Sequence, residues 1–226
     1  MTSLTHSYPA SQSRPVSGRP AAALAAAVAA AIAAVAVVSF SGSGASQTAA
    51  ANPVPSMAAL PLSQRLLAPG TTSGFVRVAQ PTPVSMTTRL QGIGFVSGLN
   101  EQLHGLFPLK AQAVSVVERF RSVGGANAEL NYQYEQAVKG ARSSGSTVST
   151  YRVAGIPGAR GWTVRSHGIT GINVAYTSGP FYYLVGSGSA SGAHGAPVPN
   201  NVAAAANLQY LLVNGCVARG VSAHLA

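Results

Sequence analysis

Three arginines border one glycine-rich turn, and they offer the clearest binding chemistry in the sequence. Arg152 and Arg165 lie in segments with strand character, and Arg160 lies in the turn Gly155–Gly161 between them. Guanidinium groups form paired hydrogen bonds with carboxylate or phosphate oxygens, and backbone N–H groups of such a turn add further donors. Trp162 could stack on a ligand, although tryptophan more often packs in the core. We therefore predict an anion-binding site at Arg152, Arg160, Trp162 and Arg165. In the alternative, the glycines only turn the chain and the arginines are ordinary surface residues.

The glutamates are the second source of possible chemistry. The chain has no aspartate and four glutamates, at positions 101, 118, 129 and 135. Two carboxyl groups across a cleft would suit hydrolysis of a glycosidic bond, with Glu118 or Glu135 as acid or base. The spacing favours a solvated helix face instead, because Glu118 has arginine neighbours and Glu135 precedes Lys139 by four residues. We therefore predict no catalytic residue.

Other catalytic or metal sites lack the residues that they require. Four histidines are candidate ligands, and none has a partner at the spacing that zinc sites use: His104, His167, His194 and His224. Cys216 is the only cysteine, which excludes an intrachain disulfide and a multi-cysteine metal cluster. No serine occupies a nucleophile elbow between a strand and a helix. We predict no metal and no cofactor.

The charge of the chain points to anionic partners. Fourteen lysines and arginines against four glutamates give a net charge of +10. Such a surface attracts anionic polymers and lipid headgroups over ~8–10 Å at physiological salt. The composition also matches the Ala, Gly and Arg preference of a GC-rich genome. Because no nucleic-acid-binding motif is present and the chain carries an export signal, we predict no nucleic-acid partner.

The N-terminal region has the organisation of an export signal. A polar basic flank, residues 1–20, precedes an uncharged apolar segment at 21–41, and small residues follow. The segment is long enough to span a bilayer, so it is either a membrane anchor or a cleaved signal peptide. This predicts a cell-membrane protein with an extracytoplasmic domain, or a secreted one. We expect a Ser/Ala/Pro linker at 42–72, a domain at 73–217 and a tail at 218–226.

Periodicity and turn residues predict an α+β fold. Alternation favours strands near 74–78 and 94–103, and Thr147 to Val185 reads as a meander of four strands followed by a loop. Apolar residues three and four apart predict a helical region from Lys110 to Lys139, divided at Gly124-Gly125. A last helix is expected from Val202 to Val213. We predict an antiparallel sheet with helices packed on one face.

Several short segments resemble secreted or membrane-anchored domains of high-GC Gram-positive bacteria. The segments are Gly94-Phe95-Val96-Ser97-Gly98, Phe120-Arg121-Ser122, Gly155-Ile156-Pro157-Gly158-Ala159, Asn173-Val174 and Tyr182-Tyr183-Leu184-Val185-Gly186. The resemblance implies an extracytoplasmic location and this style of fold, and it carries over no site residue. The sequence therefore favours a binding or sensor-like domain for an anionic envelope polymer. A cell-envelope hydrolase and a structural envelope protein are the alternatives.

Overall fold

The computed structural model describes residues 60–70, 73–106, 111–190, 196 and 198–214. The predicted export segment 21–41, its flank 1–20 and the tail 218–226 lie outside these residues, as does Cys216. No helix among the described residues is long and apolar enough to cross a membrane. The membrane segment therefore stays a prediction.

An eight-stranded antiparallel sheet forms the centre of the fold. Its strands are β1 Phe75–Arg77, β2 Thr82–Pro83, β3 Phe95–Gly105, β4 Gln112–Phe120, β5 Thr147–Tyr151, β6 Arg160–Ser166, β7 Ile169–Ser178 and β8 Phe181–Ala190. The spatial order is β1-β3-β4-β8-β7-β6-β5, with β2 also paired to β3. The α+β class and the meander from β5 to β8 are confirmed. The expected loop after Gly186 is wrong, because β8 continues to Ala190 and pairs there with Ile169.

Helices cover both faces of this sheet. They are α1 Thr88–Gly92, α2 Val123–Ser143 and α3 Pro199–Val213, and a 3-10 turn spans Leu62–Gln64. Ala126 and Leu130 of α2 share one core cluster with Leu184, whereas Val202 of α3 shares the other with Val185. The prediction of helices on one face is therefore wrong. Neighbouring positions in β8 are apolar on both sides, so each side of the strand needs a covering layer.

The predicted helix from Lys110 to Lys139 is in fact a strand followed by a helix. Its first half is β4, which is buried on both faces from Ala113 to Glu118. A strand buried on both faces has a continuous apolar run, and such a run also fits helical spacing. The β-branched Val114, Val116 and Val117 favour the extended conformation. The expected division at Gly124-Gly125 marks instead the first turn of α2.

Two local features fix the start of α2. The Ser122 side chain accepts a hydrogen bond from the Gly125 N–H at 3.1 Å, as an N-cap does. Gly125 lies so close to the preceding loop that an added Cβ would come within 2.3 Å of the Ile93 carbonyl oxygen. The glycine therefore lets the helix approach α1 and β4 closely, which places the inner side of α2 on the sheet.

Residues 60–70, here called the N-terminal strap, pack across the α3 side of the sheet. Leu66 and Leu67 are 2% and 1% exposed, and the Leu67 N–H donates to Ser115 Oγ at 3.0 Å. The buried Arg65 guanidinium donates to the Tyr183 hydroxyl at 2.9 Å. We predicted a linker up to residue 72, but the folded part begins earlier, because Leu66 and Leu67 belong to the core cluster that also contains α3.

Candidate functional site

The carboxylates are almost all removed from the surface. Glu101, Glu118 and Glu129 are at most 2% exposed, whereas Glu135 is exposed on α2. Arg77 pairs with Glu101, and Arg89 binds both carboxylate oxygens of Glu129. These are the ion pairs that the described residues form. The predicted surface pair between Glu135 and Lys139 is not among them.

Seven exposed cationic side chains make no ion pair within the described residues. They are Arg119, Arg121, Lys139, Arg142, Arg152, Arg160 and Arg165. Among the described side chains, Glu135 alone offers an exposed carboxylate against them. Burial of three glutamates, two of them paired with Arg77 and Arg89, therefore leaves the exposed cations with little negative charge beside them.

The three predicted arginines lie at the two ends of β5. Arg152 directly follows the last ladder pair of β5 and β6, Tyr151 with Gly161, and Arg160 directly precedes that pair on the other strand. Arg165 is paired with Thr147 at the beginning of β5. The structure thus brings Arg152 and Arg160 together and places Arg165 five residues along β6 from Arg160. Because successive side chains in a strand alternate, Arg160 and Arg165 lie on opposite faces of the sheet.

A fourth arginine joins this region and was not predicted. Arg142 lies in the last turn of α2, and the Ser146 N–H binds the Ala141 carbonyl oxygen in the short connection to β5. Arg142 therefore lies near the Thr147 end of the strand, where Arg165 also lies. The sequence did not indicate that Arg142 belongs to this region, because its distance from β5 depends on where α2 ends.

Trp162 belongs to the core, so the predicted stacking of its ring on a ligand is wrong. The side chain is 3% exposed and packs edge-on against Tyr134 of α2, with the ring centroids 5.8 Å apart. The guanidinium of Arg160 lies 5.4 Å from the centroid of the same tyrosine ring. Tyr134 therefore fixes the exposed Arg160 to α2 through a cation–π contact.

The glycine turn between β5 and β6 packs against α3. Val153 and Ile156 are buried in the core cluster that contains α3, and Asn207 of that helix donates to the Ala154 carbonyl oxygen at 3.2 Å. A Cβ at Gly155 would come within 2.2 Å of Asn207 Nδ2. Gly155 also has a φ of 79°, which favours glycine, so the turn has a structural role beside the predicted anion-binding role.

Glu118 is a buried residue and not the solvated one that we predicted. It lies beneath α2, opposite Gly98 in β3 and Tyr182 in β8. Burial and the Glu129 carboxylate together raise the pKa of Glu118 to about 8, against the lowering effect of the positive charge of Arg89. Glu118 Oε2 and the Tyr182 hydroxyl are buried without a hydrogen-bond partner in the described part of the chain.

The hydrolase alternative needs an acid that a substrate can reach. A carboxyl that is protonated near neutral pH matches the requirement of a general acid. Glu118 is 2% exposed, however, and α2 covers it, while the exposed Glu135 lies on the helix itself. A substrate would meet the two carboxyls together only after α2 had moved.

The candidate metal ligands are not clustered in the described residues. No group of three histidine, cysteine, aspartate or glutamate side chains could hold an ion there. His104 lies in β3 and His167 in the β6–β7 turn, and His194 and His224 lie outside the described residues.

Comparisons with known proteins give little guidance. No protein-family description matches the chain, and no curated protein is similar to it. Among solved structures, the extracellular domain of PknH from Mycobacterium tuberculosis is similar to this chain at 11% identity and a TM-score of 0.41. The match covers 63% of this chain and 86% of that domain. At this TM-score the similarity adds no argument about function.

Proposed function

We propose that the protein is an extracytoplasmic domain, membrane-tethered or secreted, that binds an anionic polymer of the cell envelope. The observation that carries the proposal is the unbalanced surface charge of the described residues, where seven exposed cations without an ion pair face one exposed glutamate. Four of these cations, Arg142, Arg152, Arg160 and Arg165, border β5. Here they are called the β5 arginines.

The location rests on the sequence. The basic flank with Arg14 and Arg19, followed by the uncharged segment 21–41, supports export. The intact mass of the protein from membranes and from culture supernatant distinguishes the two fates. A full-length mass in membranes supports a tether, and a shortened mass in the supernatant supports secretion. A full-length protein found only in the cytoplasm contradicts the proposal.

Binding is tested with inorganic polyphosphate and full-length protein in detergent. We expect affinity that falls as salt rises, because salt screens the charges that attract the polymer and reduces the gain from releasing counterions. The triple variant Arg152→Ala, Arg160→Ala, Arg165→Ala should bind about tenfold more weakly, which corresponds to ~1.4 kcal/mol.

The matched control removes three exposed cations elsewhere, Arg119→Ala, Arg121→Ala and Lys139→Ala. Net charge changes equally in both triple variants, so a loss of affinity that is equal in both would mean that the β5 arginines form no site. Absence of polyphosphate binding by the unmodified protein would overturn the proposed function.

A further inference from the structure

The strand β5 is an edge strand of the sheet that the described residues form. It is last in the strand order, and no described strand pairs with its outer side. Its five residues, Thr147 to Tyr151, include no proline and no charge, and Thr147, Ser149 and Thr150 are exposed. Proteins usually protect such an edge with charges, prolines, bulges or a short strand. β5 contains neither a charged residue nor a proline.

The opposite edge of the sheet is protected. The strands there, β1 and β2, have only three and two residues. Pro83 occupies β2, and Pro81 directly precedes it. A proline cannot donate a main-chain hydrogen bond, so this edge offers little to another chain. The contrast singles out β5 as the edge at which a further strand could be added.

Positive charge lies at each end of this edge. Arg165 and Arg142 lie at the Thr147 end, and Arg152 and Arg160 at the Tyr151 end. Four residue steps separate the two ends, which corresponds to ~14 Å along an extended chain. The sequence contains no acidic residue after Glu135, so nothing in β5 to β8 offsets these arginines.

We propose that the outer edge of β5 binds an extended acidic segment of a partner polypeptide, which adds to the sheet as a further strand. The partner's main chain would pair with β5, and its carboxylates would meet the β5 arginines at both ends. The inference rests on the proposed function for its electrostatic attraction and goes beyond it by naming a polypeptide and a main-chain mode of recognition.

Charge favours this occupant over a second copy of the chain. Antiparallel pairing of two β5 strands would bring Arg152 of each copy to the Arg165 end of the other. Like charges directly opposite in a sheet are destabilising. An acidic strand at the same place would instead be attracted at both ends.

The test uses a seven-residue peptide of alternating Thr and Val with glutamate at both ends, and full-length protein in detergent. The same peptide N-methylated on every residue keeps its charge but cannot donate a main-chain hydrogen bond. We expect the methylated peptide to bind at least about tenfold more weakly, as for loss of several interface hydrogen bonds. Hydrogen exchange at the amides of residues 147–151 should slow only with the unmethylated peptide.

Charge-reversal variants test the arginines. Arg152→Glu with Arg165→Glu should abolish peptide binding, and Arg119→Glu with Arg121→Glu should retain most of it. If both peptides and polyphosphate bind equally well and β5 exchange does not change, charge alone acts and the inference fails while the proposed function stands. If the free protein sediments as a dimer with protected β5 amides, a second copy occupies the edge and the inference also fails. If no anionic probe binds, both proposals fail.

Discussion

Replacing Glu118 with glutamine should remove a large part of the dependence of stability on pH. The folded pKa of about 8 lies above the ordinary value of 4.5, so the folded state holds this proton more tightly than the unfolded state does. The resulting stabilisation is complete below pH 4.5 and is lost as pH rises to about 8. Wild-type protein should therefore be more stable at pH 5 than at pH 8.

The size of the effect follows from the shift. The displacement from 4.5 to about 8 corresponds to a free-energy change on the order of 5 kcal/mol, at ~1.4 kcal/mol for each pH unit. The side chain is 2% exposed, so solvent screening reduces this value little. Such a change is comparable to the whole stability of many domains, which is ~5–15 kcal/mol.

Urea unfolding at several pH values between 4.5 and 8.5 measures the effect. The free energy of unfolding of Glu118→Gln minus that of wild type should increase as pH rises. Glu135→Gln is the matched control, since that glutamate is exposed, and its difference should stay flat. Parallel pH profiles for wild type and Glu118→Gln would refute the reasoning, because they would mean that Glu118 titrates normally in the folded protein.

Three further predictions concern packing. Gly125→Ala should destabilise the domain by about 2 kcal/mol or more in urea unfolding, because the new Cβ meets the Ile93 carbonyl oxygen. Gly124→Ala is the control, and its new Cβ has its nearest atom at 3.6 Å. It should change the free energy of unfolding by less than about 1 kcal/mol. A chain that begins at residue 73 should be less stable than one that begins at residue 60 by about 3 kcal/mol or more, since it loses two buried leucines of the N-terminal strap; equal stabilities would contradict the packing described. The only tryptophan, Trp162, is 3% exposed, so its emission should be blue-shifted and poorly quenched by acrylamide until the protein unfolds; strong quenching of the folded protein would contradict its burial.

Local signals predicted the meander because its turns and strands are coded by neighbouring residues. Glycine at positions 168 and 179 has φ values of 82° and 58°, which favour glycine, and both positions lie in the turns of the meander. β4 was predicted as a helix because the strands that pair with it come from other parts of the sequence. A strand in the middle of the sheet is apolar on both sides, and only its partners β3 and β8 decide between strand and helix.

Only part of the candidate site was predicted, again because the rest depends on distant parts of the chain. Arg152, Arg160 and Arg165 were visible beside a glycine turn, but the alternation that separates Arg160 from Arg165 depends on the length of β6. The burial of Glu118 depends on α2, which covers it from a distant part of the chain. Once Glu118 is placed in β4, its valine neighbours do indicate burial, since Val116 and Val117 are 2% and 0% exposed.

The pairing of β4 with β8 has a consequence for the order in which the chain can fold. Paired residues in these two strands, from Gln112 with Gly188 to Arg119 with Phe181, are 76 to 62 positions apart. Contacts between distant residues slow folding, because a long loop must close before they form. While the chain is being synthesised, β4 has no partner on one side until β8 has emerged. During that interval its unpaired main-chain edge and its apolar side chains are open to association with other chains.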